Sequence, residues 1–345
     1  RTAEPQFGRA AELGFGSTIS PIENLSTMKK VLKILGILLG SVLVLLLGVA
    51  AWIQFSGFKT YESKDLAIQV PSDSATVLQG KKIVETLCVG CHLGEDGKLT
   101  GKLFSRASDD FGEIWSGNIT QHPEFGIGEY TNGQLAYLLR TGIKQDGSWA
   151  GPYMSFPRMS DAHVASIIAY LRSDSPLVQP AEATHPAPNY SFLAKALVKL
   201  GAFVPYPYEE KPIAAPPSTD KLAYGRYLAT AVYECANCHS ASYHTNNLFE
   251  PEKSPGYFGG GNPIPDDDFK IIPSANLTPH PEAGLGKWTE AQFAHAVRAG
   301  ARPDERILSP IMPRFALLND EELGAIWAYL QTVPPLESAT AKAGK

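Results

Sequence analysis

The feature that most constrains this chain is the placement of its four cysteines. They form two Cys-x-x-Cys-His motifs, and no cysteine is left over. This motif is typical of covalent haem c attachment, in which two thiols add to the haem vinyl groups and the adjacent histidine binds the iron. We therefore predict two haems c. The predicted attachment and iron-ligating residues of the two motifs are Cys88, Cys91, His92, Cys235, Cys238 and His239.

Two other uses of these cysteines are open. A redox pair of the thioredoxin type needs no following histidine, and a zinc site built from both pairs would leave His92 and His239 without a role. Haem attachment explains all six residues. It also implies that the chain has no structural disulfide, even in an oxidising compartment.

The region after each motif is repeated, with a constant offset of 158 residues between the two copies. The match begins at Asn118 and Asn276 and runs without a gap to Met154 and Met312. Beyond the methionines the second copy gains one residue, and both copies then end in an apolar helical pattern. An internal repeat of this kind indicates two copies of one domain. The residues predicted to cap the final helices are Ser160 and Asn319.

A helix is also predicted to run into each haem motif, over residues 74–87 and 219–234. These helices contain Gly80 and Gly225. Glycine in a helix costs about 1 kcal/mol relative to alanine, so a close helix crossing would explain both positions. The predicted contacts are aromatic residues of the final helices, Tyr170 and Tyr329.

A haem iron needs a ligand opposite the motif histidine, and its identity separates electron transfer from chemistry at the iron. Met154 and Met312 coincide in the repeat, each two residues after a proline, and we predict that they are these ligands. Met159 lacks such a counterpart and is predicted to pack in the core. His122 and His280 also coincide and leave bis-histidine ligation open, but their His-Pro-Glu context indicates a turn.

Four further residues that coincide in the repeat are predicted to contact the haems. Haem propionates are carboxylates, and a buried carboxylate needs charged or hydrogen-bonding partners. The arginines are equally consistent with ordinary positions on a helix surface. The four residues are Tyr130, Arg140, Trp288 and Arg298.

Residues 34–55 form an apolar run of 22 residues, long enough to cross a bilayer as a helix. Lys29, Lys30 and Lys33 precede it, which places the N-terminus in the cytoplasm and the rest of the chain outside. We predict a single-pass anchor that contacts lipid in the bacterial cytoplasmic membrane, with the haem domains on the periplasmic side. A signal peptide cleaved near Ala50 is the alternative, although its apolar region would be shorter.

Together, the haem motifs, the N-[IL]-T and G-[IL]-G-x-[YW]-T segments and the repeated methionines resemble di-haem class I cytochromes c. Similar proteins include bacterial membrane-bound cytochromes and the cytochrome subunits of periplasmic alcohol and aldehyde dehydrogenases. The resemblance covers residues 75–172 and 218–332. It implies an all-α fold of two tandem class I cytochrome c domains behind one N-terminal transmembrane helix.

We accordingly divide the chain into six segments. They are a non-native or disordered leader (1–27), a transmembrane anchor (28–57), cytochrome c domain 1 (58–175), a proline-rich linker (176–217), cytochrome c domain 2 (218–334) and a disordered tail (335–345). Nine prolines define the linker, which a short amphipathic helix near 192–200 interrupts. The second copy carries an insertion with Gly259 to Gly261 and Asp266 to Asp268, which we interpret as a surface loop.

The expected function is electron transfer without catalysis. A dehydrogenase or a quinol-oxidising complex is the expected donor, and a terminal oxidase or a soluble cytochrome is the expected acceptor, in or at the membrane. The net charge of −5 excludes a nucleic-acid partner. Alternatives are a permanent subunit of a periplasmic dehydrogenase, a di-haem peroxidase with an open iron position, and a haem sensor.

Overall fold

The computed structural model describes residues 21–266 and 270–337. The chain divides after Gly57 into two compact units, an N-terminal helix and a larger unit that begins at Phe58. Most of the predicted leader (1–20), most of the predicted tail (338–345) and two aspartates of the insertion, Asp267 and Asp268, lie outside the described residues.

Helix α1 spans Pro21–Phe55. It begins seven residues before Met28, so residues 21–27 of the predicted leader are helical, and the boundary between leader and anchor stays a prediction. Proline is well suited to the first turn of a helix, because its fixed φ matches and its missing N–H is not needed there. The stretch Leu25–Phe55 is long and apolar enough to cross a membrane.

The helices of the larger unit follow the same order in both copies of the repeat. In the first copy they are α2 (Ser74–Ile83), α3 (Val89–His92), α4 (Asn132–Thr141) and α5 (Asp161–Leu171). Helix α6 (Phe192–Lys199) lies in the linker, where the amphipathic helix was expected. In the second copy they are α7 (Lys221–Tyr227), α8 (Cys235–His239), α9 (Glu290–Ala299) and α10 (Asp320–Leu330).

Short strands make the all-α prediction incomplete. Strands β1 (Leu103–Ser105), β2 (Gly112–Trp115) and β3 (Asn189–Tyr190) form one antiparallel sheet, and β4 (Pro263–Pro265) and β5 (Ile271–Pro273) form a second. Strands of two to four residues are too short to show a readable alternation of apolar and polar positions. Their pairing depends on contacts that the local pattern does not reveal.

The helix before each haem motif crosses the final helix of its own copy at very short range. A Cβ atom on Gly80 would lie 1.8 Å from the carbonyl oxygen of Ser166 and 2.8 Å from Cβ of Tyr170. A Cβ atom on Gly225 would lie 1.9 Å from the carbonyl oxygen of Ala325. The predicted close crossing is therefore confirmed in both copies. Tyr170 is a contact as predicted, whereas the atoms nearest to Gly225 belong to the backbone of Ala325 and Ile326 and not to Tyr329.

Neither of these helices is regular up to its cysteines. A π-helical turn follows α2 at Val84–Cys88 and follows α7 at Leu228–Val232. In the second copy the helix then breaks, because Glu234 adopts a left-handed conformation with φ of 48°. π-Helical turns are rare and occur frequently at functional sites, and here both lead directly into a haem motif.

The proline-rich segment 176–217 packs against the first copy instead of forming a free spacer. Val178 is fully buried, and the carbonyl oxygen of Leu177 accepts a 2.8 Å hydrogen bond from the amide of Leu99. Farther along, the amide of Asp161 donates to the carbonyl oxygen of Ile213 at 2.9 Å. The segment thus covers one side of the first copy.

The two copies also pack directly against one another and share a contiguous apolar core. Lys82 of the first copy pairs with Glu322 of the second at 2.9 Å, and both side chains are largely buried. The Tyr227 hydroxyl accepts a 2.9 Å hydrogen bond from the amide of Ser160 and lies 2.7 Å from Nδ1 of His163. These contacts fix the orientation of the two copies within the larger unit.

Candidate haem sites

The histidine of each motif has the same environment in both copies. Nδ1 of His92 lies 2.7 Å from the carbonyl oxygen of Gly117, and Nδ1 of His239 lies 2.8 Å from that of Ala275. Both histidines are buried, and burial lowers the pKa of each imidazole, which favours the neutral form. A carbonyl acceptor fixes the proton on Nδ1, so the Nε2 lone pair is available to bind iron.

The cysteines of each motif lie three residues apart on one helical turn and are not joined in a disulfide. Burial raises the pKa of Cys88 and of Cys235 to about 12, with a smaller contribution from the second cysteine of each motif. A reactive redox pair needs the opposite shift, since the thiolate is the nucleophile. The residues of 21–266 and 270–337 include no cluster of three or more His, Cys, Asp or Glu that could hold a metal ion.

The two predicted methionine ligands lie on matching loops. Met154 ends a short 3-10 helix, Pro152–Met154, and both it and Met312 are partly buried. After each methionine the chain returns to the preceding helix through one backbone hydrogen bond. These bonds join Phe156 to Leu139 at 2.6 Å and Phe315 to Val297 at 3.1 Å.

Met159 is fully buried in the apolar core. Its amide bonds to the carbonyl oxygen of Phe156 at 3.2 Å, and Leu318 makes the same bond to Phe315 at 3.1 Å. Met159 therefore occupies the position of a leucine in the other copy. This agrees with the predicted packing role, whereas the ligand role of Met154 stays a prediction.

The arginines predicted to contact haem propionates are engaged elsewhere. Arg140 is only 1 % exposed, and its guanidinium donates to the carbonyl oxygen of Met159 and pairs with Asp161. The second copy repeats both contacts: Arg298 donates to the carbonyl oxygen of Leu318 at 2.9 Å and pairs with Asp320 at 2.7 Å. Each arginine thus joins the end of the methionine loop to the start of the final helix. The predicted contact of Arg140 and Arg298 with the haem propionates stays a prediction.

Tyr130 and Trp288 pack against the core and are both partly buried. The Tyr130 hydroxyl accepts a long 3.4 Å hydrogen bond from the amide of Gln145, and the guanidinium of Arg302 lies 5.8 Å from the Trp288 ring centroid. No contact in the described residues assigns them to a haem. Their role at the haems stays a prediction.

The repeated histidines of the His-Pro-Glu segments close turns, as predicted. Nδ1 of His122 accepts hydrogen bonds from the amides of Glu124 and Phe125, at 3.2 and 3.1 Å. Nδ1 of His280 accepts equivalent bonds at 3.2 and 3.0 Å. This shared local role explains why the pair recurs without any need for iron ligation.

Two buried hydroxyls beside the predicted haem residues fit a bound polar group. Ser155 follows Met154, Tyr233 precedes Cys235 by two residues, and neither hydroxyl has a hydrogen-bond partner in the described part of the chain. Buried polar atoms nearly always have a partner. Together with the buried neutral histidines, they show that the residues present suit a haem carrying carboxylate groups.

Sequence reasoning missed Glu234, which lies directly before Cys235. Burial raises the pKa of its carboxyl to about 7, while nearby Arg158 opposes the shift. Arg158 comes from the first copy and donates to the carbonyl oxygen of Thr230. The second copy has two more residues between the helix glycine and the first cysteine, Gly225 to Cys235 against Gly80 to Cys88. Glu234 therefore has no charged counterpart in the repeat, and only its contacts reveal it.

A buried histidine with a fixed tautomer after a Cys-x-x-Cys pair defines a c-type cytochrome site. Residues 77–175 match the cytochrome c family, so this part of the chain is a cytochrome c domain, with the haem-binding and electron-transfer character of that family. The resemblance to di-haem cytochromes c and dehydrogenase cytochrome subunits is confirmed at this level.

Three relatives illustrate this similarity. The cytochrome c subunit of alcohol dehydrogenase (quinone) from Gluconacetobacter polyoxogenes is 30 % identical over 81 % of the chain and 61 % of its own length. The fructose dehydrogenase cytochrome subunit from Gluconobacter japonicus is 30 % identical over 72 % of the chain and 50 % of its own length. A diheme cytochrome c-type protein from Cereibacter sphaeroides is 29 % identical over 72 % of the chain and 83 % of its own length. The chain thus spans half to three fifths of the two dehydrogenase subunits.

Proposed function

We propose that the protein binds two haems c and transfers electrons between redox proteins at the periplasmic face of the cytoplasmic membrane. The observation that carries this proposal is the recurrence, in both copies, of a neutral buried histidine with a fixed tautomer at the end of a Cys-x-x-Cys pair. His92 and His239 would hold the irons, with Met154 and Met312 as second ligands. A haem c with such ligands supplies a one-electron couple with a raised potential.

The donor that we propose is a dehydrogenase. Relatives from several bacteria are cytochrome subunits of alcohol, fructose and gluconate dehydrogenases, which supports a partner of this class. A free carrier is the second candidate, because the chain covers 83 % of the diheme cytochrome relative but only 61 % of the alcohol dehydrogenase subunit. The two candidates differ in partnership and not in chemistry.

The proposed location rests on helix α1. Its apolar run over residues 34–55, which is 22 residues long, exceeds the typical signal-peptide core and supports a retained anchor in contact with lipid. The lysines before residue 34 support a cytoplasmic N-terminus. In this orientation both haem motifs lie in the compartment where the covalent attachment takes place.

Protein extracted from salt-washed membranes should carry two haems that survive acid-acetone extraction, because each cysteine pair forms thioether bonds. Mass spectrometry of the denatured chain should show two added haems and an intact α1. Replacing Cys88 and Cys91 with serine, or Cys235 and Cys238 with serine, should remove one haem and leave the other. A single haem in the unaltered protein, or haem lost on extraction, would contradict the proposal.

The potential of the second haem should fall as pH rises through about 7. The pKa of Glu234 is raised to about 7 by burial, and its charge also affects Tyr206 and Tyr243 nearby. Reduction removes a positive charge from the iron and so favours the protonated acid, which couples electron and proton uptake. The haem potential should change by at most about 60 mV per pH unit, the limit for one proton taken up with one electron.

Redox titrations at pH 5 to 9 measure this coupling. Glu234→Gln should flatten the pH dependence, because an amide does not titrate in this range. Arg158→Gln should raise the pKa of Glu234 further, because the positive charge that lowers this pKa is lost. The pH range over which the haem potential falls should then move to higher pH. A slope that persists in Glu234→Gln would assign the coupling to another group.

A further inference from the structure

The insertion of the second copy begins directly after its haem motif. In both copies a glycine amide bonds to the carbonyl oxygen of the motif histidine, Gly101 to His92 and Gly260 to His239, each at 2.8 Å. The glycine follows the histidine by nine residues in the first copy and by 21 in the second. The extra residues therefore form a loop that starts and ends at the second haem motif.

This loop places Tyr243 on the second cysteine of that motif. Its hydroxyl oxygen lies 3.0 Å from Sγ of Cys238. Asn262 fixes the loop from the other side, because its side chain accepts from the Tyr243 amide at 3.3 Å and donates to the carbonyl oxygen of Asn237 at 3.3 Å. Asn237 lies between the two cysteines, so the loop and the haem motif are held as one body.

The same loop reaches the first copy. The ring of His244 lies 5.9 Å from that of Phe111, which in turn lies 6.3 Å from Tyr153, the residue before Met154. Burial raises the pKa of the Tyr243 phenol, and the charges of Cys238 and, more weakly, Cys91 contribute. The Tyr243 phenol is therefore protonated and can donate a hydrogen bond, although 45 % of its surface is exposed.

We propose that Tyr243 couples the two haem sites electronically: its hydroxyl donates to the Cys238 sulfur, and its neighbour His244 lies against Phe111 of the first copy. Once this sulfur is a thioether it has no proton and acts only as a weak acceptor, so the tyrosine must be the donor. A hydrogen bond donated to sulfur favours the electron-rich, reduced site. The inference rests on the proposed function, because it requires a haem at each motif.

Two variants of the full-length holoprotein separate the hydroxyl from the ring. Tyr243→Phe removes the hydrogen-bond donor alone. In half-reduced protein the ratio of reduced second haem to reduced first haem should therefore fall by about two- to fivefold, as expected for the loss of one hydrogen bond. Tyr243→Ala also removes the ring and should slow electron exchange between the haems by roughly an order of magnitude. Freeze-quench electron paramagnetic resonance after rapid photoreduction measures both quantities.

Tyr257→Phe is the matched control. Tyr257 lies in the same insertion, and the substitution also removes a hydroxyl contact, here with the Tyr329 hydroxyl at 2.7 Å. It should leave the distribution and the exchange rate unchanged. If the alanine variant loses haem, the phenylalanine variant decides the outcome.

Unchanged distribution and rate in variants that retain both haems would overturn the role of Tyr243. A protein with fewer than two haems before any substitution would instead overturn the proposed function. The haem content of each preparation, measured first, therefore distinguishes the two failures.

Discussion

Replacing Met154 with leucine should abolish one of two methionine-ligated haem signals. Leucine has nearly the same volume and no sulfur, so the loop should fold while the iron loses its second protein ligand. We expect the first haem to become high-spin, to bind carbon monoxide and to fall in potential. The absorption band that reports methionine ligation of ferric haem would lose about half of its intensity, as expected when one of two axial thioethers is removed.

Met159→Leu is the control, because this residue is close in sequence and fully buried in the core. The substitution should cost less than about 1.5 kcal/mol in the free energy of unfolding and leave the spectrum nearly unchanged. Met312→Leu should repeat the Met154→Leu result at the second haem. If Met159→Leu alone removed a methionine-ligated signal, the register of the repeat in the first copy would be incorrect.

Local rules explain why much of the site could be predicted from sequence. The final helices are capped by Ser160 and Asn319, whose side chains accept from the amides of His163 and Glu322, as the sequence pattern suggested. The repeat also identified Arg140 as equivalent to Arg298. Coincidence in a repeat indicates that two residues share a role, and the contacts show that both arginines join the end of the methionine loop to the final helix.

Features that depend on distant residues were not predictable. The burial of Val178 and the contact of Tyr227 with Ser160 and His163 join segments that are far apart in sequence. Glu234 and Tyr243 escaped for a related reason. Both lie where the second copy departs from the first, so the repeat that revealed the other site residues carries no information about them.

The sharpest test of the shared fold is Gly225→Ala, which should destabilise the protein by about 3 kcal/mol, since overpacking at a tight contact costs this much. The new Cβ would lie 1.9 Å from the carbonyl oxygen of Ala325, so α7 and α10 must separate. Backbone atoms cannot rotate away as a side chain can. The midpoint of thermal unfolding should fall by roughly 6–12 °C.

Gly90→Ala provides the matched control for this helix-crossing argument. Gly90 is helical and exposed, a Cβ atom added there would meet no other atom within 4 Å, and the equivalent residue in the second motif, Asn237, already carries a side chain. Alanine there should be neutral or stabilise by up to about 1 kcal/mol, because it is the better helix former. Gly80→Ala should reproduce the loss at the first crossing. Equal thermal midpoints for Gly225→Ala and Gly90→Ala would show that the helices tolerate separation, and the close crossing would then not explain either glycine.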